Sequence, residues 1–165
     1  MSENAIDTNT MSIIVTKGSL DWAYPPFILG TTAAAMGLDV TMFFTFYGLS
    51  LLKKDLNLKV TPLGNAAMEM PMAGGHMVMP NIVGMLPGVD AMASKMMKNL
   101  IKKNGVASVD ELRDLAVEAD VRMIACQMTL ELFDYKREDL IDDIEIGGAA
   151  TYIEVATQSH INLFI

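Results

Sequence analysis

A chain of 165 residues has the length of about one domain, and its formal net charge of −8 argues against nucleic acid, whose phosphates demand clustered lysine and arginine. Its single cysteine excludes an intrachain disulfide and suits a reducing compartment. At this size folding buries roughly 68–70% of the extended-chain surface, so stability needs neither a disulfide nor a metal.

The opening "MSENAIDTNT" is polar and acidic, without the basic and apolar regions of a signal peptide. It reads as a disordered tail over residues 1–10, ahead of a single α/β domain over 11–165 in a cytoplasmic protein. "MSIIVTK" is a short apolar run ending at Gly18-Ser19, the mark of a first strand with a tight turn into a helix. That helix runs from about Leu20 to Met36 and carries Pro25 and Pro26 in its early part. "DVTMFFTF" is β-branched and aromatic, as a buried strand should be. The apolar stretch from Trp22 to Leu52 invites a transmembrane reading, but its prolines, Gly30, Gly37 and Asp39 interrupt it and its period changes halfway. A helix followed by a buried parallel strand explains the apolarity without lipid, so membrane association is not favoured.

Gly48 then opens a short helix, "LSLLKKDL", and residues 56–88 read as irregular. From Gly88, Val89, Met92, Met96, Met97 and Leu100 recur at helical spacing, with the three methionines as core filler and Lys95, Lys98, Lys102 and Lys103 away from it. Gly105 stops that helix, and Ser108 with Glu111 forms an S-x-x-E start for another, with Leu112, Leu115 and Ala116 facing inwards. "VRMIA" is a strand, "QMTLELFD" a short helix, "ATYIEVATQS" a further helix and "INLFI" the closing strand. Alternation of this kind specifies a flavodoxin-like (Rossmann-like), mainly parallel five-stranded sheet with helices on both faces. Four strands centre near residues 13, 42, 123 and 163, and the fifth falls either between 56 and 88 or near 141–146.

Cys126 stands where "VRMIA" stops and "QMTLELF" begins. Free cysteine is commonly a buried structural residue. At the carboxyl end of a parallel strand, however, ligands bind, and the free N–H groups and dipole of a helix start favour a thiolate. An ordinary thiol is only a few per cent ionised at neutrality, so such a position produces a nucleophile. Gln127 and Thr129, in the first turn, are candidates to help hold an anionic adduct.

The segment "AAMEMPMAGGHMVMPNIVGMLPG" concentrates methionine among glycine and proline. Such a loop reads as a lid or docking surface near Cys126, since methionine-rich surfaces bind adaptably. Cu(I) binding by Met68, Met70, Met72, His76, Met77 and Met79 is a weaker reading, and no metal is expected. His76 is a candidate to orient or protonate a species bound at the thiol, whereas His160 is not read as catalytic. Glu131, Asp134, Glu138, Asp139, Asp142, Asp143 and Glu145 make a solvated acidic face able to steer a basic partner. Gly18-Ser19 lacks the glycine and lysine pattern of a phosphate loop, so nucleotide is not inferred.

Several blocks in order, "TKGSLDWA", "VTMFFTFYGLSLLKK", "MIACQMTLELF", "IGGAATYIEVA" and "NLFI", resemble the DsrE/DsrF-like sulfur-relay family, also labelled peroxiredoxin-like, from Ser12 to Ile165. The resemblance implies a sulfur carrier or sulfurtransferase in which Cys126 takes sulfane sulfur or thiosulfate, as a persulfide or thiosulfonate, and relays it to a partner thiol. It implies a homotrimer or homotetramer, and a small TusA-like carrier or a rhodanese as partner, with no cofactor. The candidate site is then Cys126 as catalytic residue, with Gly18, Ser19, His76, Gln127 and Thr129 binding substrate. Some relatives carry a second cysteine shortly after the first, and here Leu130 to Lys136 hold none, which counts against a two-cysteine mechanism. The alternatives are a non-catalytic oligomeric subunit docking through its methionine-rich loop, and a thiol redox sensor or peroxidase, the latter lacking a resolving thiol.

Overall fold

Five strands form one sheet in the computed structural model, which describes residues 7–61, 69–72, 75–78 and 80–165. In chain order the elements are β1 (Asp7–Val15), α1 (Leu20–Ala35), β2 (Asp39–Phe44), a 3₁₀ segment (Phe46–Leu52), β3 (Glu69–Met72), β4 (Gly75–Val78), α2 (Asn81–Gly84) and α3 (Val89–Lys103). They continue with α4 (Val109–Glu118), β5 (Arg122–Cys126), α5 (Gln127–Leu132), a second 3₁₀ turn (Arg137–Asp139), β6 (Glu145–Gly147), α6 (Ala149–Gln158) and β7 (Ser159–Phe164). The sheet order is β6-β5-β2-β1-β7, and every pairing in it is parallel. The expected four strands stand where the apolar runs place them, and the fifth is β6. The chain winds outwards from β1 through β2 and β5 to β6, then returns by α6 to set β7 on the far side of β1. The order therefore differs from the 2-1-3-4-5 winding of flavodoxin while keeping the same parallel α/β layering.

Alternation along the strands divides the core between two faces. Ile13, Val40 and Met42 meet Gly30 of α1, and Phe27 of α1 lies 5.9 Å from the ring of Phe44. On the opposite face Phe43, Ile124 and Cys126 share a cluster with Tyr152 of α6, against which Ile14 and Ala156 also pack. Helices thus cover both faces. The edge strand β6 is only three residues long, and Arg122 pins its start by two hydrogen bonds to Glu145, at 3.0 and 2.7 Å.

Several local expectations are corrected. β1 begins at Asp7, inside the stretch read as tail, because β7 continues the ladder to Asp7 opposite Ser159, and the N–H of His160 donates to Thr10 Oγ1 at 3.1 Å. The helix expected to open at Gly48 is a 3₁₀ segment from Phe46 to Leu52, drawn tight against the chain leaving β1. A Cβ on Gly48 would stand 2.2 Å from the carbonyl oxygen of Val15, and one on Gly18 would stand 2.3 Å from that of Tyr47, so the approach excludes any side chain at either position. Leu115 is exposed. The buried stripe of α4 instead includes Arg113, whose guanidinium donates to the carbonyls of Leu51 (3.1 Å) and Lys53 (2.6 Å) at the open end of the 3₁₀ segment.

The described chain divides into two compact units, one of Met1–Gly18, Trp22–Leu56 and Val109–Ile165, the other of Ser19–Asp21 and Asn57–Ser108. Within the second, the stretch read as irregular holds an antiparallel hairpin, β3 with β4, followed by α2. The hairpin stands outside the five-stranded sheet. α3 buries Ala93 and Ser94, whereas Met92 and Met96 are exposed. Small residues face inwards because Ser94 Oγ accepts the N–H of Val60 at 3.0 Å and donates to the carbonyl of Asp90 at 2.6 Å. Among the described residues no helix is long and apolar enough to cross a membrane.

Candidate functional site at Cys126

Cys126 is both the last residue of β5 and the residue that caps the start of α5. Its neighbours in the sheet are Phe44-Thr45 at the end of β2 and Gly147 at the end of β6, so three carboxyl ends meet around it. Only 4% of the residue is exposed. Burial by itself pushes the thiol up. The hydroxyl and N–H of Thr129, the hydroxyl of Thr45 and the N–H of Met128 pull the other way and together outweigh it, leaving the pKa below its ordinary value. α5 is a single short helix of six residues, and the donors that matter are individual groups rather than a long helix dipole.

The donors are fixed from below. Thr129 is fully buried, its Oγ1 accepts the N–H of Phe46 at 3.2 Å, and it lies 3.2 Å from Thr45 Oγ1. Phe46 adopts a left-handed backbone, φ 46°, which a bulky residue rarely does. The ring of Phe133, one residue past α5, stacks on Tyr47 at 5.7 Å and meets Phe46 edge-on at 6.5 Å. This aromatic contact ties the end of α5 to the turn after β2.

Of the residues singled out from sequence, Thr129 stands at the sulfur. Gln127 is adjacent in the chain, but its side chain is exposed and its amide donates to Glu131 at 3.0 Å. Gly18 packs beneath the 3₁₀ segment. Ser19 and His76 belong to the second unit, with His76 opposite Pro71 in the hairpin register. Met68 and Met79 lie outside the described residues. The acidic run from Glu131 to Glu145 is exposed throughout, as a solvated face should be. Thr45 was missed, because the pairing of β2 with β5 brings it to Thr129 from 84 residues away. A threonine just after a buried strand carries no signal of its own.

Fold and site define a parallel α/β protein with one thiol, of lowered pKa, at a strand end. A model of the DsrE/DsrF/DrsH-like family matches residues 7–164, and the chain belongs to that family. It is 55% identical to the sulfur carrier protein DsrE2 of Allochromatium vinosum over 160 residues, covering 97% of this chain and all of that protein. It is 32% identical to the YrkE protein of Bacillus subtilis over 166 residues, covering 96% and 98% of the two. A crystal structure of the ychN protein from E. coli shares the fold, with a TM-score of 0.52 at 10% identity, covering 96% of this chain and 100% of that one.

Proposed function

We propose that this protein carries sulfane sulfur on Cys126 and relays it to a partner thiol. The observation that carries the reading is the place of Cys126, a buried thiol between the end of β5 and the start of α5, beside the paired hydroxyls of Thr45 and Thr129 that favour its thiolate. Its 55% identity to a sulfur carrier over nearly the whole chain supports it.

In the loading step the Cys126 thiolate attacks the outer sulfur of a donor persulfide. An Sγ–S bond forms, the donor's S–S bond breaks, and the departing thiolate takes up a proton, with no net oxidation. With thiosulfate the outer sulfur transfers in the same way and sulfite departs. In the delivery step a partner thiolate attacks the outer sulfur and Cys126 leaves as the thiolate, for which a low pKa is an advantage. A TusA-like carrier or a rhodanese in the cytoplasm fits this chemistry. Assembly as a homotrimer or homotetramer fits the exposed Ile82, Met85, Leu86 and Met92.

Intact-mass measurement after incubation with polysulfide or thiosulfate tests the reading. Wild-type protein should gain about 32 Da, one sulfur atom, and lose it to a small thiol. Cys126→Ser should fold and gain nothing. A wild-type protein that stays unloaded with every donor overturns the reading.

A further inference from the structure

Thr45 directly follows β2 and caps the 3₁₀ segment, with φ −134° and ψ 161°. A threonine in that place ordinarily turns its hydroxyl to an N–H two or three residues on. This one makes no such bond. Its Oγ1 lies 3.2 Å from Thr129 Oγ1 instead, on the side of the Cys126 sulfur. The Thr129 oxygen already accepts the Phe46 N–H, so its own proton is left to donate. A hydroxyl from the end of β2 and one from the first turn of α5 thus lie together beside one sulfur.

We propose that Thr45 is a positioning residue of the sulfur site, its hydroxyl and that of Thr129 forming a coupled donor pair that turns towards Cys126 when the sulfur is an anion. The proposal deepens the sulfur-carrier reading and rests on it. Hydroxyls both donate and accept, so the pair polarises towards a thiolate or a persulfide anion and reverses when the sulfur is protonated. A neutral pair steadies the anion without supplying a fixed counter-charge, which suits an atom that must take sulfur and also give it up. The titratable side chain sharing the sulfur's core cluster is Tyr152 of α6, whose hydroxyl faces Ser12 on the sheet at 3.1 Å. On α5, the Glu131 carboxylate is engaged by Gln127 at the surface.

Alkylation rate against pH in wild type, Thr45→Val and Thr45→Ser tests this, with circular dichroism to check folding. Thr45→Val keeps the shape and removes one donor to a charged group, so the midpoint should rise by roughly one unit. Sulfur loading at neutral pH should then fall several-fold. Thr45→Ser should restore both, which a purely structural role for the methyl group would not. Thr129→Val strands the Phe46 N–H and risks the fold, so the Thr45 pair carries the test. Folded Thr45→Val that titrates and loads like wild type overturns the proposal. Wild-type protein that titrates low and yet takes up no sulfur overturns the sulfur-carrier reading instead, leaving the donor pair in place.

Discussion

The sheet face that meets α1 presents Ile13, Val15, Val40, Met42, Phe44 and Met123, hydrocarbon and thioether throughout, all buried. The face that meets α6 alternates with it along the same strands but carries Ser12, Thr41 and Cys126 among Phe43 and Ile124. There the Tyr152 hydroxyl lies 3.1 Å from Ser12 Oγ, which donates to Asn162 at 2.5 Å, while the ring of Tyr152 stacks on Phe43 at 5.2 Å. One face is a packing surface that stabilises by burial. The other pairs the hydroxyls of Ser12 and Tyr152 and carries the thiol at the carboxyl end of β5. A polar group is buried on that face at little cost where it is partnered, as Ser12 is by both Tyr152 and Asn162.

Breaking the apolar face gives the largest expected effect. Phe27→Ala removes a fully buried ring from α1 and should cost about 3–5 kcal/mol in urea unfolding, with the Cys126 titration of the folded protein unchanged. A shifted titration would mean that the two faces are not independent. Next comes Gly147→Ala, beside Cys126 in the sheet register, where a Cβ would stand 2.9 Å from Ile124 Cγ2 and 3.3 Å from Thr151 Cβ. Both neighbours are β-branched and stiff, so overpacking should destabilise by about 1–3 kcal/mol and also disturb sulfur loading. Tyr152→Phe keeps the stack on Phe43 and deletes one hydroxyl from the α6 face. About 1 kcal/mol should be lost, since Ser12 still has Asn162, and calorimetry would resolve it.

The smallest effect is the pH linkage of the thiol. Because its folded pKa is lowered, the unfolded chain holds more protons between that value and the ordinary thiol value, so stability rises with pH across the window. The gain is complete above the unfolded pKa and is lost as pH falls through the folded one. Urea midpoints of wild type relative to Cys126→Ser should therefore diverge in favour of wild type as pH rises through the thiol range. A constant difference would sink the linkage.

Local pattern was enough for most elements and for the place of Cys126 between strand and helix, because buried parallel strands are continuous apolar runs and glycines such as Gly37 and Gly105 end helices at positive φ. It left the hairpin at 69–78 unread, since Met-Pro-Met beside Gly-His-Met shows neither alternation nor a helical period. It also placed Met92 and Met96 inside, where the packing of α3 buries Ala93 and Ser94, because apolar spacing alone does not say which stripe a helix turns inwards. Strand order, and with it the identity of the sulfur's neighbours, was decided only by tertiary structure. Parallel pairing is non-local, and the contact of Thr45 with Thr129 spans 84 residues. No short-range pattern encodes which strand end comes to lie beside Cys126. The pairing of β2 with β5 brings Thr45 there, and the turn through Phe46 sets the hydroxyls of Thr45 and Thr129 around a thiol that would otherwise be an ordinary buried cysteine.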